Sequence, residues 1–333
     1  MSVFVKIKLA FLVAKKILLL TCNSINMQLI SFYILYGLIW LLTRLPMRIL
    51  YFLTDIVFLL IYYVIPYRKK LVFKNLRNSF PEWDEKQVKK TARRFYRFFC
   101  DFFMESTIFI FMKEKDVLDR FRYKNPELIN ELHSHGKSII LIFGHYANWE
   151  WSVTLPKYVK HKCLPVYKPL HNRYFDRMFI NTRQRFGAEV VPVEKVLRVL
   201  TEYQKSNTLN ISYFAADQRP LMKNIQYWTR LLHQDTPVVL GPEKLAKKLD
   251  SAVVFFNISR VKRGYYESEF TLITDDPGNT KEYEITEKFL KLMENQIITE
   301  PAYWLWTHNR WKHNKEEYFR RYGHRESIKH HEA

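Results

Sequence analysis

Residues 138–150 read SIILIFGHYANWE, a pattern typical of a buried strand that ends in a polar turn. The run SIILIF is short and apolar, as expected for a strand covered on both faces. Gly144 permits a tight exit, and Asn148 is predicted as the N-cap of a helix that begins WEWSVTLPKYV. The segment therefore predicts a strand, turn and helix that present His145 and Glu150 from the turn.

His145 and Glu150 suit the roles of a general base and the carboxylate that orients it. A neutral imidazole can take a proton from a hydroxyl near pH 7. A carboxylate on the other ring nitrogen fixes the tautomer and stabilises the imidazolium. Positions five apart do not share one face of a regular helix, so the pair requires a turn. The alternative is an unrelated surface pair.

A zinc site is the weaker interpretation of this segment. Zinc proteases carry two histidines one helical turn apart, and structural zinc sites carry cysteine pairs. The sequence has neither pattern, so we expect no metal.

Five further segments, spread from residue 71 to residue 312, carry distinctive sequence patterns. They are LVFKNLRNSFPEW (71–83), YKPLHNRYFDRMFINTRQRFGAEVVP (167–192), AADQRP (215–220), GPEKLAKKLDSAVVFFNISR (241–260) and PAYWLWTHNRWK (301–312). Together with GHYANWEW, which resembles the His-x4-Asp/Glu signature of glycerolipid acyltransferases, they resemble the bacterial lipid A biosynthesis acyltransferases, the lauroyl and myristoyl transferases. The resemblance runs from about Met27 to Lys312.

The resemblance implies a membrane-associated enzyme with His145 and Glu150 as catalytic residues. Its reaction would move a fatty acyl chain from an acyl carrier protein thioester to a hydroxyl of a lipid A precursor, late in that pathway and without a cofactor. It also implies the inner membrane, with the catalytic domain on the cytoplasmic face. Two alternatives stay open: a lysophospholipid or aminolipid acceptor, or a non-catalytic membrane protein that binds acyl carrier protein.

The matching segments also supply candidate substrate-binding residues. These are Asn148, Lys168, Asn172, Arg173, Asp217, Gln218 and Arg310. Asp217 ends one predicted strand, whereas Lys168, Asn172 and Arg173 follow another, and each has an alternative role as a helix cap or a solvated charge. Lys168 stands where the family has arginine, and lysine lacks the bidentate fork. Leu240 departs from the family's threonine before Gly241.

Composition indicates an acidic partner. The chain has 53 Lys plus Arg against 33 Asp plus Glu, a formal net charge of +20, and 16% aromatic residues. Acyl carrier protein, lipid phosphates and an anionic membrane face all match a basic surface of this size. Nucleic acid is not expected as a partner, since no recognition motif for it is present.

The N-terminal part predicts membrane-associated helices. Residues 29–42 and 49–65 are almost continuously apolar, but neither run is a clean span of roughly 20 residues. We expect one helix to cross the bilayer and the other to lie near its surface. The basic cluster after Pro66 favours a cytoplasmic position for the domain on its C-terminal side. A pair of buried core helices is the alternative.

The remaining pattern predicts an α/β domain. Strands are expected at 138–143, 189–193, 209–215, 252–259 and 265–273, and helices at 85–112, 172–186, 195–205, 242–249 and 285–298. This alternation favours a mixed, mostly parallel central sheet flanked by helices.

The sequence predicts that the chain divides into four segments. They are an N-terminal extension with no catalytic role (1–26), membrane-anchoring helices (27–66), the catalytic domain (67–322) and a basic tail (323–333).

The three cysteines predict free thiols. Cys22, Cys100 and Cys163 are odd in number and widely spaced, so a disulfide framework is not expected.

Overall fold

The fold is built on a seven-stranded sheet, seen in a computed structural model that describes residues 27–323. The strand order is β1-β9-β8-β2-β5-β3-β4. The strands are β1 (Phe121–Tyr123), β2 (Ile139–Phe143), β3 (Lys162–Tyr167), β4 (Val191–Pro192), β5 (Asn210–Ala215), β8 (Ala252–Lys262) and β9 (Tyr265–Thr274). A separate hairpin is formed by β6 (Trp228–Leu231) and β7 (Gln234–Pro237).

Most neighbours in the large sheet are parallel. β2 pairs in parallel with both β5 and β8, and β3 pairs in parallel with β5 and β4. The one antiparallel pair among these seven strands is β8 with β9, which a tight turn at Gly264 connects. The predicted fold class, a mixed and mostly parallel sheet flanked by helices, is confirmed.

Helices cover the sheet and bury its central strand. They are α1 (Met27–Leu42), α2 (Met47–Leu59), α3 (Lys69–Ser79), α4 (Glu85–Ile108), α5 (Glu114–Leu118), α6 (Pro126–Ser134), α7 (Arg173–Gln184), α8 (Val196–Lys205), α9 (Gly241–Leu249), α10 (Glu284–Thr299) and α11 (Lys315–Tyr322). α9 and α10 both contact β2, and all five β2 side chains are buried. Burial on both faces explains why this strand is continuously apolar rather than alternating.

The two N-terminal helices leave much apolar surface exposed. α2 continues as a π-helical turn (Leu60–Val64), and the combined helix Met47–Val64 is long and apolar enough to cross a membrane. Only 22% of that helix is buried, where it packs against α4. The alternative of two buried core helices therefore does not fit the structure. Large apolar residues that are exposed on these helices include Ile30, Ile34, Leu38, Phe52, Ile56 and Val64.

The structure differs from the sequence-based expectation at several elements. Four strands, β1, β3, β6 and β7, were not predicted. β3 lies inside the sheet between β5 and β4, and Pro165 interrupts its otherwise strand-like run. The expected α-helix after Asn148 is a 3₁₀ helix, Trp149–Lys157, with Pro156 inside it. α4 ends at Ile108 rather than near residue 112.

Two of the three cysteines lie in the described part of the chain. Cys100 and Cys163 are buried free thiols, as expected, whereas Cys22 lies outside the described residues. The extension 1–26 and nearly all of the tail 323–333 also lie outside them, and the proposed segment boundaries stay predictions.

Candidate active site

Strand register brings His145 and Asp217 to the same edge of the sheet. Phe143 at the end of β2 pairs directly with Ala215 at the end of the parallel strand β5. His145 and Asp217 each follow two residues later. Because the carboxyl ends of parallel neighbours meet at one edge, their side chains converge there.

Asp217 holds His145 through both its ring and its backbone. His145 Nδ1 lies 2.6 Å from Asp217 Oδ1, and the His145 backbone N–H donates to Asp217 Oδ2 at 2.9 Å. Trp304 Nε1 donates to the same Oδ2 at 2.8 Å. The carboxylate is buried, with 3% of its side chain exposed, and three donors satisfy it.

The electrostatics of this pair favour a charged carboxylate beside the ring. Burial would raise the pKa of Asp217, but the charge of His145 and the hydrogen bonds from His145 and Trp304 lower it to about 2. Burial lowers the pKa of His145, but the charge and hydrogen bond of Asp217 and the charge of Glu150 raise it above its ordinary value. The ionised Asp217 therefore fixes the proton on Nδ1 and leaves Nε2 as the basic nitrogen.

Gln218 lies over one face of the His145 ring. Its Nε2 lies 3.1 Å from His145 Nε2 and 3.5 Å from His145 Nδ1, so the amide does not lie on the line of the in-plane Nε2 lone pair. The His145 side chain is 19% exposed, so a hydroxyl can reach Nε2. Trp149 packs edge-on against the ring at 4.9 Å and limits its rotation.

Glu150 is not the carboxylate that binds the histidine ring, which corrects the sequence-based assignment. Its Oε2 accepts a hydrogen bond from Arg183 of α7 at 2.6 Å, and both side chains are largely buried. Within residues 27–323 no hydrogen bond joins Glu150 to His145. The 3₁₀ turn that starts at Trp149 carries Glu150 toward α7, whereas Asp217 already occupies Nδ1. Glu150 still acts on His145 through its charge.

A second chain segment holds the loop that carries His145. The Leu305 N–H donates to the His145 carbonyl at 3.2 Å, and the Ala147 N–H donates to the Tyr303 carbonyl at 3.0 Å. Ala147 adopts a left-handed backbone with φ of 51°, which is costly for a residue other than glycine. The pairing with residues 303–305 stabilises this conformation.

The sequence predicted that Asn148 caps the following helix, but the Asn148 side chain makes no cap hydrogen bond. Its side chain is fully buried and its Nδ2 donates to Glu105 Oε2 at 2.9 Å. Asn148 therefore anchors the loop to α4.

Comparison with known proteins places this site in a family. The model of the family described as bacterial lipid A biosynthesis acyltransferase matches residues 23–313. The chain belongs to this family. The match spans every element described above that contributes to the site, and it identifies the protein as an acyltransferase.

Two relatives are similar over most of their length. The lipid A biosynthesis palmitoleoyltransferase of Escherichia coli (strain K12) is 20% identical over 281 residues, which cover 83% of this chain and 89% of the relative. The lipid A biosynthesis acyltransferase of Shigella flexneri has the same identity and coverage.

Within the fold of this acyltransferase, the candidates around α7 lie away from the histidine ring. Asn172 caps α7, because its Oδ1 accepts from the backbone N–H groups of Tyr174 and Phe175. Arg173 donates to the Tyr174 hydroxyl at the surface, and Lys168 is exposed. Among described contacts none joins these three residues to His145, and their predicted role in substrate binding stays a prediction.

Arg310 lies in the protein interior, where the charge of Asp217 acts on it. It is 1% exposed, and its three guanidinium nitrogens make no hydrogen bond within residues 27–323. Burial lowers the pKa of Arg310 to about 10, against the attraction of Asp217. Burial, with help from Arg310 and Arg219, also lowers the pKa of His308 to about 4, so this histidine is neutral at pH 7.

Three residues of the site had no role in the sequence-based prediction. Trp304 binds Asp217, Arg183 binds Glu150, and Glu105 binds Asn148. Trp304 and Arg183 both lie in segments that resemble the family, and this is the signal that could have drawn attention to them. Glu105 lies outside these segments, and no short motif connects it to Asn148.

An apolar cavity lies beside α7. It measures about 630 Å³ and is lined by residues of α1, of the segment after α4 and of α7 with its C-cap. Phe32, Tyr36, Phe111 and Tyr174 form much of its wall, and Arg177 and Arg185 are exposed cations in its lining.

Proposed function

We propose that this protein transfers a fatty acyl chain from an acyl carrier protein thioester to a hydroxyl of a lipid A precursor. The observation that carries the proposal is the 2.6 Å contact between His145 Nδ1 and Asp217, which leaves Nε2 unprotonated at the accessible side of the ring. Family membership supports the class of reaction, and the basic composition suits an acidic carrier and a phosphorylated lipid.

The proposed reaction needs no covalent acyl-enzyme. The acceptor hydroxyl binds to Nε2 and gives its proton to His145 as its oxygen attacks the thioester carbonyl. Asp217 stabilises the imidazolium. When the tetrahedral intermediate collapses, the C–S bond breaks, and the carrier thiolate leaves with the proton from Nε2. The Gln218 amide beside the ring is a candidate donor to the oxyanion.

Glu150 keeps a catalytic role in this proposal. Its negative charge raises the pKa of His145, so it also favours the imidazolium that forms during attack. Arg183 holds the carboxylate in place and balances its charge when the ring is neutral.

We also propose that the enzyme works at the cytoplasmic face of the inner membrane. The exposed apolar surfaces of α1 and α2 suit contact with lipid, and the aromatic cavity beside α7 suits a hydrocarbon chain. The basic cluster Arg68, Lys69, Lys70 and Lys74 comes directly after the apolar helix. Positive charge next to an apolar helix favours the cytoplasmic side.

The decisive experiment assays the full chain in lipid with an acyl carrier protein thioester. Three acceptors are offered in parallel: a lipid A precursor, a lysophospholipid and an aminolipid, with products read by mass spectrometry. We expect acylation of the lipid A precursor. Selective acylation of either other lipid would correct the acceptor, and carrier binding without any product would leave only the non-catalytic alternative.

A variant of the base completes this test. His145→Ala should lower turnover by a factor of about 10² to 10⁴, whereas the control His135→Ala removes an exposed histidine and should be neutral. Retention of more than about a tenth of the rate would contradict the assignment of the base.

A further inference from the structure

Glu105 of α4 is a buried carboxylate that three separate parts of the fold contact. It is fully buried, and it accepts hydrogen bonds from Tyr51 Oη at 2.8 Å, Tyr266 Oη at 2.7 Å and Asn148 Nδ2 at 2.9 Å. Burial raises the pKa of Glu105, but the hydroxyl donors and the nearby charge of Arg260 oppose that rise. With three donors aimed at its oxygens, the carboxylate acts as an acceptor.

One of these donors belongs to the loop that carries His145. Asn148 lies three residues after His145, and the strained left-handed Ala147 lies between them. Backbone pairing to residues 303–305 fixes the loop up to Ala147. The bond to Glu105 is the side-chain hydrogen bond of Asn148 in the described part of the chain, and its Oδ1 has no partner there. Glu105 therefore holds the point at which the loop enters the 3₁₀ helix toward Glu150.

A second donor belongs to the apolar helix α2. Tyr51 reaches Glu105 from this helix, and one turn further Thr54 donates to Asp101 of α4 at 2.8 Å. Arg263 donates to the Tyr51 carbonyl and to Asp101, which closes a polar cluster between α2, α4 and the β8–β9 turn. The same face of α4 thus receives the helix suited to the membrane and the catalytic loop.

We propose that Glu105 is a positioning residue that makes the geometry of the catalytic loop depend on the docking of α2. A displacement of α2 removes the Tyr51 donor and shifts the carboxylate on which Asn148 rests. The His145 ring then moves from the position at which its Nε2 meets the acceptor. This inference rests on the proposed function of His145.

An exchange of the amide and the carboxylate tests the link between Glu105 and the loop. Asn148→Asp alone places two carboxylates in contact, and we expect kcat to fall by about 100-fold, the cost of misplacing a catalytic group by about 1 Å. The KM for the acyl carrier protein thioester should stay unchanged. Combining Asn148→Asp with Glu105→Gln restores an amide and carboxylate pair, so the double variant should regain most of the lost kcat. Rates are expressed per folded enzyme, from the unfolding transition of each variant, so that a loss caused by general unfolding is excluded.

A double-mutant cycle tests the link to α2. Tyr51→Phe and Asn148→Ala should each lower kcat, and their combined effect should be smaller than the product of the two, because both act through Glu105. Tyr227→Phe is the matched control, since it removes a tyrosine hydroxyl that donates to another carboxylate, Glu287, at 2.8 Å and does not contact Glu105. It should leave kcat near that of the wild type.

The outcomes separate this inference from the proposed function. An inactive wild-type enzyme in every acceptor assay would overturn the proposed function. An active wild type with full kcat in Asn148→Asp, or without rescue in the exchange variant, would overturn the positioning role. Independent, multiplicative effects of Tyr51→Phe and Asn148→Ala would overturn the dependence on α2.

Discussion

The Nδ1 atom of His145 and the Oδ1 atom of Asp217 lie 2.6 Å apart although 72 positions separate the two residues in sequence. The in-register pairing of β2 with β5 produces this contact, because each residue stands two positions beyond its strand. A carboxylate fixed on the sheet edge is a more rigid partner than one on the same turn as the histidine. The pair therefore has a preset tautomer before any substrate arrives.

Replacing Asp217 should remove this preset tautomer. In Asp217→Asn the ring loses the charge that stabilises its imidazolium, and the amide can present a hydrogen to Nδ1 so that the proton moves to Nε2. We expect kcat to fall by up to about 10⁴. Steady-state kinetics with the acyl thioester measures the loss. Asp235→Asn, at an exposed position, is the control, and equal rates in both variants would contradict the role of Asp217.

The pH dependence of the reaction should report the pKa of His145. The ring must be neutral to act as a base, so kcat/KM should rise with pH as the ring loses its proton. Asp217 and Glu150 raise the pKa of His145, so the midpoint of this rise should lie above about 6.5, the ordinary histidine value. A midpoint at or below that value would show that the two carboxylates do not control the base.

Much of the fold could be predicted from local sequence, and so could the role of His145, but not its pairing with Asp217. The apolar run before His145 and the strand that ends near Asp217 follow from residue patterns alone. The order of strands does not, because periodicity shows where a strand lies but not which strand is its neighbour. Without the β2–β5 register, Glu150 was the nearest carboxylate in sequence, and the sequence therefore favoured the wrong partner for the ring.

The same limit explains the remaining differences. Arg183 faces Glu150 only because α7 returns over the turn after β2, which is a tertiary contact. Asn148 has the chemistry of an N-cap, but the buried Glu105 offers its amide a stronger, charge-assisted partner. Tertiary structure overrides the local preference at this position.

Changes at Glu150 and Arg183 should move the pH profile in opposite directions. Glu150→Gln removes a negative charge near His145, so the midpoint should shift to lower pH, and turnover should fall by about 10² as electrostatic support for the imidazolium is lost. Arg183→Gln removes a positive charge and leaves Glu150 unpaired, so the midpoint should shift to higher pH. Profiles of kcat/KM for both variants provide the measurement. Shifts of the same sign would contradict a purely electrostatic role for Glu150.

Asp101 should control the stability of the junction between α2 and α4. Its carboxylate is 1% exposed and accepts from Thr54, Arg260 and Arg263. Asp101→Ala removes the carboxylate partner of the buried Arg260 guanidinium. We therefore expect a loss of about 3 to 5 kcal/mol in the free energy of unfolding. Thermal or denaturant unfolding in lipid or detergent measures it. Glu85→Gln changes a residue of the same helix, α4, and breaks its exposed ion pair with Arg77 of α3. It should leave the unfolding midpoint unchanged, because water already screens that pair. If both variants unfold like the wild type, the buried cluster does not hold α2 on the domain.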